Sequence, residues 1–145
     1  MRRASLFAAA VTAIGCAATS AEAACTVSTT SVAFGVYSPT SPTALAGYGS
    51  VRLDCHPSDS PVIAIGAGNS GSFALRRMSN GVSNLNYNLY TSAAMSLVWG
   101  DGTGGSVTVS APKKVSTSIV YGRIPAGQNV SAGAYSDTLI VTVSF

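Results

Sequence analysis

Cysteine and histidine are the residues best suited to bind a metal or to act as nucleophiles, and this sequence has few of them. It holds three cysteines, Cys16, Cys25 and Cys55, and a single histidine, His56. No two cysteines are spaced as C-x-x-C, and His56 beside Cys55, without a carboxylate cluster, cannot complete a tetrahedral zinc site. We therefore expect neither a metal centre nor a reactive thiol.

Acid–base and nucleotide chemistry also lack suitable residues. The run Gly100–Gly105 fits G-x-G-x-x-G, but Ser106–Val109 after it alternates like a strand, whereas a dinucleotide site needs a helix there. His56 is the single candidate for a general base. Beyond residue 24 the chain has no glutamate and four dispersed aspartates, so paired-carboxylate catalysis is not expected. We expect no enzyme and no cofactor, and interpret Asp101 and Asp137 as turn-capping residues.

The composition favours an exported β protein. Of the 145 residues, 47% are hydrophobic and 9% are charged, and 15 are glycine, which is unlike a disordered chain or a helix bundle. Beyond residue 24, six basic residues oppose four acidic ones, a net charge of +2 (6 − 4). Such a small, scattered charge predicts no nucleic-acid partner. Arg76 and Arg77 are interpreted as one inward-leaning and one solvated side chain of a strand, with an anion site as the alternative.

The N-terminal residues are typical of a signal peptide. Two arginines follow the initial methionine, and Leu6–Gly15 is an apolar run of suitable length. A small-x-small site ends at Ala23, so we expect cleavage between Ala23 and Ala24. This divides the chain into a signal peptide, residues 1–23, and one domain, residues 24–145. The apolar run is shorter than the roughly 20 residues that span a bilayer, and no membrane span is expected.

Export would leave Cys25 and Cys55 in an oxidising compartment, where disulfides form and persist. Two cysteines permit one pairing, and closing their loop would stabilise the fold by roughly 3.5–4 kcal/mol in the chain-entropy model. We therefore predict a disulfide between Cys25 and Cys55. A lipoprotein signal ending at Cys16 is the alternative for the N-terminus, although the residues before Cys16 fit that motif poorly.

Hydrophobic alternation, broken often by glycine and proline, predicts strands throughout the mature chain. Leu85, Tyr87 and Leu89 alternate with three asparagines, which are poor helix formers, and Met95–Trp99 alternates again after a short break. This region is predicted to form two strands. The other predicted strands are Thr26–Thr30, Val32–Tyr37, Ser50–His56, Val62–Ile65, Ser72–Met78, Val107–Ser110, Val115–Arg123 and Ala134–Phe145. So many short strands in about 120 residues predict an all-β sandwich.

The last predicted strand carries its apolar residues at alternate positions. They are Leu139, Val141, Val143 and Phe145. The pattern fits an ordinary sandwich strand. It also fits an open strand edge, with a terminal carboxylate, that a partner recognises. The pattern alone leaves both interpretations open.

Several short motifs, taken in order, resemble spore coat protein U domains. They are Cys25, Phe34-Gly35-Val36-Tyr37, Val51-Arg52-Leu53-Asp54-Cys55, Leu85-Asn86-Tyr87-Asn88-Leu89-Tyr90, Val98-Trp99-Gly100-Asp101, Val120-Tyr121-Gly122-Arg123-Ile124-Pro125, Ala126-Gly127-Gln128 and Gly133-Ala134-Tyr135-Ser136-Asp137-Thr138-Leu139. Each motif is short, but their order holds across nearly all of residues 24–145.

The resemblance implies an immunoglobulin-like β-sandwich that lacks its last strand. That family includes subunits of archaic, Csu-type chaperone–usher pili and secreted coat proteins. The implied partners are a periplasmic pilus chaperone, an outer-membrane usher and other pilus subunits. The chaperone, and later a neighbouring subunit, would complete the fold by donor-strand complementation. By carry-over, the groove for the added strand would be bordered by Leu139, Val141, Val143 and Phe145.

The resemblance thus predicts a structural subunit that is secreted or held at the cell surface, reached through the periplasm. The alternative is a secreted coat protein or an adhesin-like tip module that binds a surface or a glycan. Family pilins carry a donor extension before their first cysteine. Cleavage after Ala23 would leave only Ala24 before Cys25, so we expect a subunit that accepts a strand and does not donate one.

Overall fold

The computed structural model describes residues 25–145, which form two β-sheets around one core. The strands are β1 (Thr26–Ala33), β2 (Leu45–Asp54), β3 (Val62–Ile65), β4 (Arg76–Ser79), β5 (Asn84–Tyr90), β6 (Val109–Ser110), β7 (Val115–Ile124) and β8 (Val141–Ser144). A short 3-10 helix, Gly68–Ser70, follows β3. The five-stranded sheet has the order β1-β2-β7-β5-β4, and the three-stranded sheet has the order β6-β3-β8. All pairs of adjacent strands are antiparallel.

The centre of the larger sheet is the pair β2–β7. These strands are aligned from Leu45 opposite Ile124 to Asp54 opposite Val115. Because side chains alternate between the two faces of a strand, one face of the pair supplies the core, including the buried residues Leu53 and Val120. This pair is the most completely hydrogen-bonded part of the sandwich, with strands on both flanks.

Residues of both sheets meet in the core. Ile63 and Ile65 of β3 are buried, as are Leu85 and Leu89 of β5. The largest buried side chain is that of Trp99, whose indole Nε1–H donates to the Ile63 carbonyl at 3.1 Å. The all-β prediction is therefore correct, and the core is built by inward positions of strands that alternate as expected.

Two predicted strands merge and one is absent. The predicted strand Thr26–Thr30 and the first two residues of the predicted strand Val32–Tyr37 form the single strand β1, whose pairing with β2 shifts register between Thr30 and Ala33. The rest of the second prediction was wrong, because Phe34–Tyr37 is not strand. The predicted strand Met95–Trp99 was wrong. Met95 adopts a left-handed φ of 51°, which interrupts extended backbone, and only isolated bridges from Val98 and Trp99 remain.

Strand β2 begins five residues earlier than predicted, at a segment containing two glycines. Gly47 lies opposite Gly122 of β7, and the Phe34 ring packs over both. A Cβ on either glycine would come within 2.6 Å of that ring. The glycines that obscured this strand in the sequence are therefore needed for close packing on its inner face.

Strand β8 is shorter than predicted. The segment Ala134–Phe145 contains only four residues of regular strand, Val141–Ser144. Just before it, Ser136 pairs with Ser79 of β4 through two backbone hydrogen bonds of 2.9 and 3.1 Å. The chain therefore leaves the edge of the five-stranded sheet at Ser136 and enters the three-stranded sheet a few residues later.

The predicted signal peptide, residues 1–23, and the cleavage site between Ala23 and Ala24 lie outside the described residues. From residue 25 onward, no helix has the length and apolar character needed to cross a membrane.

Candidate functional site

A disulfide joins Cys25 to Cys55, the pair predicted from the sequence, with their Cα atoms 4.2 Å apart. It extends the β1–β2 ladder by one rung, because the next pair along the strands is Thr26 opposite Asp54. The Cys55 N–H donates to the Lys114 carbonyl at 3.2 Å, which ties the same point to the start of β7. The disulfide thus fixes the N-terminal end of β1, an edge strand, to a central strand.

The sandwich is open between β1 and β8, and we call this opening the seam. A cavity of about 360 Å³ lies there. One wall is formed by Thr29–Val32 of β1, and the other by Leu139 and Val141. Its floor includes Val51 and Leu89, which are core residues of the five-stranded sheet. The interior of the sandwich is therefore reached directly between two strand edges.

A second cavity, of about 670 Å³, continues the opening towards the loops that follow β1 and β7. The two cavities share Val32, Phe34, Met78 and Tyr135 in their linings. The seam is therefore an elongated groove with an apolar floor, a shape that suits an extended segment of chain.

The free edge of β8 points its backbone groups into the seam. The Ile140 carbonyl accepts from the Gly66 N–H at 2.8 Å, so Ile140 is hydrogen-bonded towards β3. In an antiparallel ladder such residues alternate, so the N–H and C=O groups of Val141 and Val143 point away from β3. The side chains of both valines are half-buried against the core. Val141 and Val143 thus offer unpaired backbone at the edge and apolar side chains inward.

Strand β1 borders the seam with an uncovered inner face. Val27 lies opposite Leu53 and Thr29 lies opposite Val51, so each pair shares one face of the sheet. Leu53 is 0% exposed, whereas Val27 is 42% exposed. The inner face of the sheet is therefore covered over β2 but exposed over β1. Sequence alternation alone did not identify Thr29–Val32 as a wall of the site.

The residues predicted to border the groove occupy different positions. Leu139 and Val141 line the cavity of the seam. Val143 packs partly against the core and belongs to neither cavity lining. Phe145 is 56% exposed and also lies outside both linings. The apolar lining of the groove therefore ends near Val141, and beyond it β8 contributes its free backbone edge.

A buried arginine closes the sandwich where the ends of β3, β4 and the Trp99 segment meet. Arg76, 0% exposed, donates five hydrogen bonds, all to uncharged acceptors. The acceptors are the carbonyls of Ile65, Gly66 and Trp99 and the side-chain oxygen of Asn88, at 2.7–3.1 Å. We call these five residues the arginine hub. It satisfies carbonyls where β3 and the Trp99 segment end, and it links both sheets.

The arginine hub is not an open anion site, because Arg76 is 0% exposed and each of its three nitrogens already donates to a protein group. The Arg76 guanidinium also lies over the Phe73 ring, 5.3 Å from the ring centroid. Burial lowers the pKa of Arg76, an effect opposed by Tyr87 and Asp137. Its neighbour Arg77 is exposed. The interpretation of this pair as one inward and one solvated side chain is correct.

Two aspartates cap turns, as their positions in the sequence suggested. The Asp101 carboxylate accepts from the Thr103 hydroxyl at 2.6 Å and the Thr103 N–H at 2.8 Å, which lowers the pKa of Asp101. Asp137 accepts three hydrogen bonds: from the Tyr87 hydroxyl at 2.6 Å, and from the Asn69 and Thr138 N–H groups, both at 2.9 Å. Burial first, and then this contact with Asp137, raise the pKa of Tyr87.

The described part of the chain contains no group of three or more potential metal ligands. His56 contacts Ser58 through its ring Nδ1 at 2.9 Å, a local turn contact on the surface. No arrangement of nucleophile, base and orienting group accompanies it among residues 25–145. The geometry instead defines a class of protein: a two-sheet β-sandwich whose distinctive feature is an open seam between two edge strands.

Comparison with known proteins identifies the family. The Spore Coat Protein U domain model matches residues 10–142, so the chain belongs to this family. A relative, Protein U of Myxococcus xanthus, is 35% identical over 112 residues, which cover 70% of this chain and 61% of that protein. The resemblance found in the sequence motifs is thereby confirmed.

A solved structure has the same fold. It is the complex of CsuC and CsuE, a chaperone and a tip adhesion subunit of the archaic chaperone–usher Csu pili of Acinetobacter baumannii. The similarity has a TM-score of 0.62 at 20% identity, and it covers 84% of this chain and 39% of the matched chain. The predicted immunoglobulin-like sandwich is therefore correct.

Proposed function

We propose that this protein is a structural subunit of a surface pilus or coat that completes its fold by accepting an extended strand in the seam. The observation that carries this proposal is the orientation of the backbone and of the side chains at Val141 and Val143. Their backbone groups are free on the side of the seam, and their side chains flank an unclosed core. A strand added beside β8 would pair with this backbone and place alternate side chains in the cavities, which is β-augmentation.

Burial of apolar surface would drive this reaction. The seam exposes Val27 and leaves Leu139, Val141 and Val143 only half-buried. Each buried methylene group contributes about 0.8 kcal/mol, so a strand with several inward apolar residues gains much of its affinity there. Backbone pairing along β8 adds register and direction rather than most of the energy.

The proposed partners follow from the family and from the matched fold. The structure with similar architecture is described as a complex of a chaperone with a pilus subunit. We infer for this chain a periplasmic chaperone that holds the seam during export, an outer-membrane usher, and neighbouring subunits that supply the final strand. Removal of residues 1–23 and export through the periplasm belong to this proposal, and N-terminal sequencing of the secreted protein tests them.

Amide hydrogen exchange with a model strand tests strand acceptance most directly. The probe is a synthetic nine-residue peptide of alternating valine and threonine, with a lysine at each end for solubility. Binding should slow exchange at the amides of Val141 and Val143, which point into the seam. The Thr142 amide, which faces β3, should change little. If the peptide raises no protection at Val141 and Val143, the seam does not accept strands.

A pair of adjacent substitutions provides the matched control. Val141→Asp should abolish peptide binding, because it puts a charge into a groove that must lose its water when the strand adds. Thr142→Asp changes the same strand by one residue, on the exposed outer face. It should leave binding within about twofold of the unmodified protein, a range typical of surface changes. Equal binding by both variants would contradict the placement of the groove.

A further inference from the structure

We propose that Asp137 is a positioning residue for strand acceptance, because its carboxylate sets the register of β8. This inference rests on the proposed function. Asp137 lies at the point where the chain crosses between the two sheets. Ser136 pairs with Ser79 of the five-stranded sheet, and Ile140 pairs with Gly66 of the three-stranded sheet. Only three residues separate these two anchored positions.

The carboxylate of Asp137 connects three segments at this crossing. It accepts from the Tyr87 hydroxyl on β5, from the Asn69 N–H in the 3-10 helix after β3, and from the N–H of the following Thr138. Asp137 and Tyr87 both line the cavity of the seam. One side chain thus joins the floor of the groove, the loop that ends β3 and the first residues leading into β8.

The loop has a residue that leaves room for this carboxylate. Gly68 has a φ of 69°, in the left-handed region that favours glycine. A Cβ on Gly68 would also collide with the Asp137 carboxylate. Both the backbone conformation and the space at position 68 therefore match the position of the Asp137 side chain, independently of the hydrogen bonds.

Register decides whether β8 can accept a strand at all. In the observed register, Ile65 lies opposite Val141 and Ile63 lies opposite Val143. A slip of one residue would turn the inward side chains outward and exchange the two backbone edges. Val141 and Val143 would then hydrogen-bond towards β3, and Thr142 would face the seam. A short strand of four residues has few contacts of its own to prevent this, so an anchor directly before it matters.

The test compares Asp137→Ala with Asp101→Asn, a turn-capping aspartate on an exposed loop whose carboxylate bonds only to Thr103. Each protein is titrated with the valine–threonine peptide, and amide exchange is recorded without peptide. Asp137→Ala should bind about tenfold more weakly or worse, since the lost hydrogen bonds involve a charged acceptor. It should also speed exchange at Thr142, which pairs with β3, while amides of β2 and β7 keep their rates. Asp101→Asn should bind like the unmodified protein.

Milder variants keep the test decisive if Asp137→Ala does not fold. Asp137→Asn retains an oxygen for the Asn69 N–H, and Tyr87→Phe removes only one of the three contacts, so each should show a smaller loss of affinity in the same direction. Wild-type affinity in all three variants would overturn the assignment. So would a faster exchange that is uniform across all strands, which indicates a general loss of stability. If the unmodified protein does not bind the peptide, the proposed function itself fails.

Discussion

Two regions of this sandwich, the arginine hub and the seam, treat free backbone groups differently. At the arginine hub, carbonyls left free where β3 and the Trp99 segment end are satisfied by one buried side chain. At the seam, the free backbone of β8 and the inner face of β1 have no such partner among residues 25–145. Arg76 in the hub is 0% exposed, whereas Val27 on the inner face of β1 is 42% exposed.

The hub shows that a side chain of the same domain can satisfy backbone groups left free at the end of a strand. A single long polar side chain binds the free carbonyls of the hub through all three of its guanidinium nitrogens. At the seam, by contrast, strand edges and apolar core residues of the floor remain accessible. The hub is complete within residues 25–145, whereas the seam would be completed by the strand acceptance proposed above.

The largest effect is expected when the arginine hub is removed. Arg76→Met keeps an unbranched side chain similar to the aliphatic stem of arginine, but it removes the guanidinium and leaves the carbonyls of Ile65, Gly66 and Trp99 without donors in the core. Each orphaned buried group costs about 1–3 kcal/mol, so the loss should reach about 4 kcal/mol or more. That is a large part of the stability of a domain this size. Denaturant unfolding measures it.

The matched control for this variant is the next residue on the same strand. Arg77 is exposed, and Arg77→Met should change the unfolding free energy by about 0.5 kcal/mol or less. Comparable losses of unfolding free energy in the two variants would mean that the hydrogen bonds of the hub do not stabilise the fold.

The disulfide should have the second-largest effect, and it acts on β1, which forms one wall of the seam. Replacing both Cys25 and Cys55 with serine removes the link across 30 residues, which should cost about 3.5–4 kcal/mol in the chain-entropy model. Because β1 is an edge strand, we also expect its amides to exchange faster than those of β7. Unfolding by guanidinium measures the first effect and hydrogen exchange the second. Unchanged protection of β1 would show that pairing with β2 alone fixes this wall of the seam.

A substitution at Gly122 tests the packing beneath the seam, because a larger residue there would collide with Phe34. The new methyl group of Gly122→Ala would lie 2.6 Å from the Phe34 ring, which also lines the seam. Overpacking of this kind costs about 1–3 kcal/mol. In a Phe34→Leu background the same substitution should cost clearly less, which a double-mutant cycle measures. An undiminished cost would place the strain elsewhere than on Phe34.

The smallest effect concerns Tyr87 and alkaline pH. Burial and the hydrogen bond to Asp137 raise the pKa of Tyr87 above its ordinary value of 10.0, so the folded state keeps the phenol protonated. The unfolded chain ionises near its ordinary value. Stability from this group is therefore complete below about pH 10 and is lost as the pH rises further.

Tyr87→Phe should cost about 1–2 kcal/mol near pH 7, through the lost hydrogen bond to a carboxylate. It should also make unfolding less steeply dependent on pH above 10 than in the unmodified protein. Thermal melts from pH 8 to pH 11 measure both effects, with Tyr90→Phe as the control at a partly exposed site. Parallel pH profiles for all three proteins would contradict the raised pKa.

Local pattern predicted the regular strands around the core well. Leu85, Tyr87 and Leu89 alternate in the sequence and lie inward on β5, and Val62–Ile65 is a strand with the predicted bounds. In these places the face of each side chain follows from the period of the strand alone. The early start of β2 could not be predicted in this way. Its glycines weaken a strand pattern, and their reason lies in the distant Phe34.

The sites depended on contacts across the chain. Alternation marked Leu139 and Val141, which do line the seam, but it could not identify β1 as the opposite wall. The pair Arg76 and Arg77 could be divided into one inward and one outward residue. The three carbonyls that accept from Arg76 lie 10 to 23 residues away in the sequence, so local pattern could not predict that they converge on it. Asp137 was expected to cap a turn, and its bond to Tyr87, 50 residues away, gives it a wider role.

The disulfide also decides how the domain would respond to mechanical tension. A pull applied at Cys25 passes through the covalent bond to Cys55 and enters the chain at the end of β2, a strand paired on both flanks. The hydrogen bonds of β1 then carry none of that force and cannot be peeled away one at a time. The 30 residues between the cysteines hold about 100 Å of extended chain, at 3.3–3.6 Å per residue, which cannot be drawn out while the bond is intact. A domain pulled from this end is therefore short and stiff, even though one of its walls is an exposed edge strand.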